Sequence, residues 1–306
     1  MNQSQKKSVL ILGAGLSGLT LGYLMSQRNF PVTLLEKSSG VGGRLATRRG
    51  EGGHWNHGTP WLDRSDIPER IWKVWADELI ETATSLGLRL TSSLGLTHLA
   101  KLLAKDLTLI KKSKVVKVEF VQESSSWIVF DDSGRKFQSD LLVLSSPAPQ
   151  TIELLANSGL LEKSGLKQVL NSIRYRPVLV GLVTLTGSGS SGIKEKTSDS
   201  PFELVIENDG FITFYLDEPF SSANWDRPDE ELGRDILNLI EKQNTGSIKH
   251  FELKRWKYGQ CLNPSETPYG KAVPPYPLYL IGDTFSGGGI RGAFNSALNL
   301  LETLQD

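Results

Sequence analysis

Chemistry is concentrated in three glycine-rich segments of this chain. The first is Gly13-Ala14-Gly15-Leu16-Ser17-Gly18. Its G-x-G-x-x-G spacing follows an apolar run at 9–12 and opens a helical pattern, which is the context a dinucleotide-binding turn requires. Gly13 permits the sharp turn, Gly15 lets a pyrophosphate approach the backbone, and Gly18 lets helix and strand pack closely. The helix start then offers free N–H groups and the positive end of its dipole to phosphate. Glu36 ends the next apolar run, 32–35. A carboxylate there accepts both hydroxyls of an adenosine ribose and repels a 2′-phosphate.

The second segment, Gly42-Gly43-Arg44-Leu45-Ala46-Thr47, lies a few residues further on. Its glycines allow another close backbone approach, and Arg44 can neutralise a pyrophosphate. A nicotinamide dehydrogenase has no need of it. Taken alone, a surface loop with a basic run at Arg44, Arg48 and Arg49 accounts for it equally well. The third segment joins Gly282-Asp283, after the apolar run 278–281, to Gly287-Gly288-Gly289-Ile290-Arg291-Gly292-Ala293. A carboxylate at the C-terminal edge of a parallel sheet lies where ligands bind, and it suits the polyol chain of a flavin. The helix that follows can turn its positive end toward the flavin ring.

Weaker signals stand beside these. His54 and His57 have an H-x-x-H spacing, but neither a helix nor a carboxylate partner supports a metal, and none is expected. Trp55, Trp61, Trp256 and Tyr258 can stack on a planar substrate or simply fill an interface. Cys261 reads as a plain thiol.

The elements that must position these residues follow from the apolar pattern. Residues 9–12, 16–28 and 32–35 read as strand, helix and strand, a right-handed βαβ unit. Residues 37–60 read as an ordered loop, and 66–87 and 96–103 as helices. Alternation at 115–121 and 127–130, with Phe137 beyond the turn at Asp131-Asp132-Ser133-Gly134, predicts a three-stranded meander. Residues 141–144 return the chain to the parallel sheet. A helix is expected at 151–170 and a strand at 177–185. The low-complexity stretch 186–200 reads as a mobile surface loop. A strand pair at 202–206 and 211–216, a helix at 230–243, a strand at 278–281 and a helix at 292–304 complete the α/β pattern.

Composition narrows the function. The 306 residues hold 34 Lys+Arg against 34 Asp+Glu, a net charge of +0 that argues against a nucleic-acid binder. Lys6 and Lys7 before the apolar stretch 9–25 resemble a signal peptide. Glycines interrupt that stretch and no small-residue cleavage site follows, so it reads as buried strand and helix, with no membrane span expected. One cysteine excludes an internal disulfide and fits a reducing, cytoplasmic setting.

Gly13 to Gly18, Glu36, Gly42-Gly43-Arg44 and Gly282-Asp283 together resemble the FAD-dependent amine-oxidase superfamily. His57-Gly58-Thr59, Ser146-Pro147-Ala148-Pro149-Gln150, Ile173-Arg174-Tyr175-Arg176-Pro177 and Lys254-Arg255-Trp256-Lys257-Tyr258 resemble renalase and its bacterial relatives. The resemblance implies a Rossmann-like FAD-binding domain, discontinuous over 1–60, 105–150 and 262–306. A smaller mixed-sheet substrate domain would span 61–104 and 151–261. It implies non-covalent FAD held by the first glycine segment (Gly13, Ala14, Gly15, Leu16, Ser17, Gly18), by Glu36 and Lys37, and by Gly43 and Arg44. His57, Gly58, Thr59, Val116 and Ser146 would add to it, with Gly282, Asp283, Gly289, Ile290 and Ala293 from the C-terminal unit. His57, Trp61, Trp256 and Tyr258 would line the substrate pocket. The activity implied is hydride transfer from a small substrate, a dihydronicotinamide dinucleotide, to flavin N5, with O2 as acceptor giving H2O2. An amine oxidase or desaturase, and a catalytically silent flavin-binding regulator, stay open. The chain departs from the family at Pro60, where Gln is usual, and at Asn56 and Arg291, where an acidic residue is usual. Its stretch between Trp61 and Gly95 is also short.

Overall fold

The computed structural model describes residues 6–84, 87–187, 192–195, 200–243 and 246–304. A six-stranded sheet runs in the order Gly270–Lys271, Leu278–Leu280, Leu141–Leu144, Val9–Leu12, Val32–Glu36 and Thr108–Lys111. Its strands are parallel except the short outer pair at Gly270–Lys271. Val9–Leu12 and Leu141–Leu144 are buried at every residue, as central parallel strands covered on both faces must be.

Strand alternation divides the core. Val9 and Ile11 face helices Leu16–Ser26, Glu69–Trp75, Leu96–Ala104 and Gly289–Thr303. Leu10 and Leu12 face the meander Val115–Val121, Ser126–Asp131 and Lys136–Ser139, with helices Ala148–Asn157 and Lys167–Ser172. Helix Leu16–Ser26 is buried nearly all round because the last helix packs on its outer side.

A second, antiparallel sheet has the order Gly192–Glu195, Phe202–Asn208, Phe211–Leu216, Tyr175–Leu185 and Ile248–Cys261. Leu179, Val183 and Phe214 pack under helix Asp229–Glu241. Val180, Leu182 and Tyr215 on the other face pack against Trp55.

Several expectations change. Residues 37–60 are not all loop, since Thr47–Gly50 and Gly53–Asn56 form a hairpin. Its extended shape is fixed by distant partners: Trp55 is buried and its indole N–H donates to the Val183 carbonyl at 2.8 Å. The helix expected over 66–87 spans only Glu69–Trp75, and Ile80–Thr84 pairs with Gly87–Thr91 as a hairpin. The core-facing repeat stops at buried Trp75, and β-branched Thr82 and Thr84 favour a strand. Residues 151–170 hold two helices, broken where Gly159 and Gly165 take φ of +66° and +71°. Strand Ile248–Cys261 is 14 residues long and has no counterpart in the sequence reading. The stretch 186–200 contains strand Gly192–Glu195, and its residues 188–191 and 196–199 lie outside the described residues. Residues 61–104, expected with the second sheet, instead place Leu62, Ile71, Trp75, Leu96 and Leu99 in the core beneath the parallel sheet.

Candidate functional site

The three glycine segments converge at the C-terminal edge of the parallel sheet. Gly13, directly after Val9–Leu12, has φ of +107° and donates its N–H to the Leu35 carbonyl at 2.8 Å. A Cβ on Gly18 would lie 2.2 Å from the Gly13 carbonyl oxygen, and one on Gly13 would lie 2.6 Å from Ser145 Oγ. Those two glycines are required by the protein itself. Gly15 differs, because a Cβ there would meet no protein atom within 4 Å. Its open side is a cradle a ligand can fill. Gly42 donates to the Ala14 carbonyl at 2.8 Å, and a Cβ on Gly43 would lie 3.3 Å from Gly15 Cα. The second glycine segment is therefore the opposite wall of that cradle. Gly289, at the start of the last helix, also faces open space.

Glu36 orders the rim. Its Oε2 accepts from Ala14 N–H at 2.8 Å and its Oε1 from Ser38 N–H at 2.7 Å. A carboxylate has about four lone-pair sites, so it can accept ribose hydroxyls without giving up the turn. Lys37 is exposed and its Nζ donates to Gln150. Ser146 Oγ lies 2.9 Å from Thr151 Oγ1. Val116, at a bulge in its strand, is 39% exposed. Leu16 and Ala14 are core residues, and buried Ser17 meets Ser296 Oγ at 3.3 Å between two helices. Ser17 can offer a ligand only its backbone. Ile290 is half-buried and Ala293 buried.

Arg44 and Asp283, expected at the phosphate and the polyol of a ligand, lie against one another. They form a bidentate pair, Nη1 to Oδ2 and Nη2 to Oδ1, both at 2.6 Å. Asp283 is buried, so this contact binds the second glycine segment to the third. Burial lowers the Arg44 pKa, but Asp283 outweighs it and the net shift is upward. Gly282 N–H donates to Ser296 Oγ at 2.9 Å. Thr59 N–H donates to the Arg44 carbonyl at 2.6 Å, and a Cβ on Gly58 would lie 2.1 Å from that same oxygen.

The antiparallel sheet supplies a second wall. Trp256 on Ile248–Cys261 stacks on His57, with ring centroids 5.4 Å apart and planes at 27°. Its indole N–H donates to the His57 carbonyl at 2.6 Å. His57 Nδ1 is buried with no hydrogen-bond partner. Burial, then the charges of Lys254 and Arg48, lower the His57 pKa to about 4 against the opposing pull of Glu252. The ring is therefore neutral at ordinary pH. Tyr258 meets Tyr175 edge-on at 5.6 Å, and Tyr175 Oη lies 2.9 Å from Thr284 Oγ1 beside Asp283. Trp61 is apart from this group, beneath the Arg89 guanidinium at 5.2 Å. Trp55 is buried structure. His54 lies on strand Gly53–Asn56 and His57 just beyond it, an extended stretch in which a three-residue spacing turns side chains to opposite faces.

Sequence reasoning missed Tyr175 and the bidentate Arg176–Glu203 pair at 2.9 and 3.0 Å. The signal for Tyr175 and Arg176 is the matched stretch 173–177, and Glu203 has none. It also missed the work of Asn56, whose Oδ1 accepts from Thr47 Oγ1 and from Leu96 N–H at the start of helix Leu96–Ala104. Arg291 donates to Asp66 at 2.8 Å.

Parallel sheet, glycine turn and terminal carboxylate define a Rossmann-like architecture built to hold a dinucleotide. Residues 11–77 match the model of the NAD(P)-binding Rossmann-like domain. The chain is 44% identical to an L-amino acid oxidase of Cerastes cerastes over 52 residues, 17% of this chain and 10% of that protein. Its identity to the L-amino-acid oxidase of Sistrurus catenatus edwardsii is 46% over 55 residues, 18% of this chain and 11% of that protein. The chain thus spans about a tenth of the length of these curated relatives. Similar solved structures include a protein of Exiguobacterium sp. 255-15 assigned as a protoporphyrinogen oxidase. Its TM-score is 0.72 at 14% identity, covering 97% of this chain and 98% of that one. A fatty acid isomerase from P. acnes that produces CLA gives 0.73 at 12% identity, covering 100% of both chains. A redesigned putrescine oxidase gives 0.71 at 12%, covering 98% of both. At these identities the likeness is one of fold.

Proposed function

We propose that this chain is an FAD-dependent oxidoreductase of the amine-oxidase type. The observation that carries it is the double glycine cradle. Gly15 is open, Gly43 stands against it, and Glu36 waits at the ribose end. A nicotinamide dehydrogenase needs only the first of these segments. The L-amino acid oxidases and putrescine oxidase among the similar proteins support the class.

FAD, when bound, would supply a two-electron acceptor for hydride, with O2 as the final acceptor giving hydrogen peroxide. The chain's own part is to bind and orient. Backbone N–H groups of 15–18, at the start of helix Leu16–Ser26, and of Gly43 would face the diphosphate, and Glu36 would accept the adenosine ribose hydroxyls. Asp283, held by Arg44, presents a carboxylate edge toward the ribityl side. The N-terminus of Gly289–Thr303 would offer its positive end to the ring. The wall made by His57, Trp256, Tyr175 and Tyr258 holds the substrate opposite. These assignments divide the chain into a cofactor unit around the parallel sheet and a substrate unit around the antiparallel sheet.

Within that class, the substrate we propose is renalase-like, a dihydronicotinamide dinucleotide. Loss of hydride from such a ring restores its aromaticity, so positioning outweighs acid–base catalysis. A neutral His57 fits that demand, because no strong base is required beside the donor carbon. The test is anaerobic mixing of the FAD-loaded protein with candidate donors while visible absorbance is followed. Rapid bleaching by dihydronicotinamide isomers supports the finer reading. Bleaching by amines alone replaces it with an amine oxidase. A protein that takes up no FAD overturns the class.

A further inference from the structure

Beside the cradle lies a shelf with more positive than negative charge. Along Ile248–Cys261, Glu252, Lys254 and Trp256 alternate onto one face, opposite Leu182, Val180 and Val178 of Tyr175–Leu185. That face packs on the hairpin that carries Arg48 and Trp55. Glu252 accepts from Arg48 Nε at 3.0 Å and from Lys254 Nζ. One carboxylate therefore answers two cations. Among the described residues, Asp283 is held bidentately by Arg44, Glu203 by Arg176, and Glu51 lies 3.8 Å from Lys249, so these three acids do not make up the difference.

Two further features sit on the same shelf. His57 leaves a buried Nδ1 without a partner, and Trp256 stacks on its ring. Native proteins rarely leave a buried ring nitrogen unpaired, so an ordered water or a ligand group is its natural partner. The shelf thus offers an excess cation, a neutral imidazole and an aromatic plane together.

We propose that this shelf binds the anionic group, carboxylate or phosphate, of a ring-bearing substrate and rejects primary amines. The inference rests on the reading of the adjacent cradle as the cofactor site. A diamine of the kind that names one of the structural neighbours would set its ammonium beside Lys254 and Arg48. Like charges brought together at short range are penalised, and opposite charges favoured. Lys254 is then a substrate-selecting residue, and Glu252 limits how much positive charge the shelf presents.

Tryptophan fluorescence tests this with benzoate, phenyl phosphate and benzylamine as probes, on the FAD-loaded protein and on the chain freed of flavin. Trp256→Phe assigns the signal to the shelf. The two anions are expected to bind about tenfold or more tighter than benzylamine, and the tighter of the two names the preferred group. Lys254→Met should weaken anion binding about tenfold while FAD affinity stays unchanged, with Lys254→Gln as a second variant should the first fold poorly. Glu252→Gln should tighten anion binding. Benzylamine binding as well as the anions, or anion binding intact in both Lys254 variants, overturns the proposal. Failure to take up FAD overturns the cofactor reading instead, because the fluorescence titration reads the shelf with or without flavin.

Discussion

The edge of the parallel sheet and the face of the antiparallel sheet meet across His57 and Arg44, yet they are built on different principles. The cradle is backbone. Gly13, Gly18 and Gly58 are glycine because another protein atom occupies the place of a Cβ, whereas the place beside Gly15 is open. The shelf is side chains, drawn from the 47–56 hairpin, from His57 and from Ile248–Cys261, far apart in sequence. A backbone site can be read from spacing, because the residues that shape it are neighbours along the chain. A side-chain site depends on strand register, which spacing does not reveal.

The Arg44–Asp283 pair joins the two regions and gives the largest expected effect. Asp283→Asn leaves a partly buried guanidinium without its carboxylate and should cost about 3–5 kcal/mol in the apo protein, read by chemical denaturation. The double variant Arg44→Met/Asp283→Leu should lose much less than the sum of its single variants. Additive losses would show the pair to be incidental.

The next contrast lies within the cradle. Gly18→Ala puts a methyl 2.2 Å from the Gly13 carbonyl and should lower stability by about 3 kcal/mol. Gly15→Ala meets no protein atom and should fold nearly as well as the parent, yet lose FAD affinity about tenfold or more. Thermal melts of the apo chains and a flavin-fluorescence titration separate the two. Equal melting losses would remove the distinction between structural and ligand-facing glycines.

His57 sharpens the other side. Its pKa is depressed from 6.5 to about 4, so the unfolded chain binds a proton that the folded one refuses. Stability should therefore fall as pH drops from 6.5 toward 4, and be fully restored above 6.5. The His57→Gln variant should lack about 2 kcal/mol of that loss, measured as the difference between the two pH–stability curves. Parallel curves would place the imidazole in water. Lys37 supplies the smallest effect. Its Nζ reaches Gln150 from an exposed position, so Lys37→Ala should shift stability by less than about 0.5 kcal/mol and FAD affinity by less than about threefold.

Much of this was legible beforehand. The βαβ unit, the meander, the central apolar strands and the three glycine segments all follow from periodicity and turn chemistry. The reading faltered where remote partners choose the local conformation. Trp55 draws 47–56 into a hairpin by packing on the antiparallel sheet. In Lys254-Arg255-Trp256-Lys257-Tyr258 a lysine shares its face with the two aromatics, so no clean apolar alternation announces a strand, yet it is held extended by its pairing with Tyr175–Leu185. That Arg44 and Asp283 touch was not legible, because nothing in two residues so far apart in sequence says so.

The sequence by itself determined where a dinucleotide turn must stand, for glycine at 13, 15 and 18 and a carboxylate at 36 are local demands of backbone geometry. Only the tertiary structure decided which glycine faces a ligand, that Arg44 answers Asp283, and that one glutamate faces two cations beside an unpaired imidazole. Those facts are distances between segments that meet only when the two sheets pack, and charge balance exists only once such distances are set.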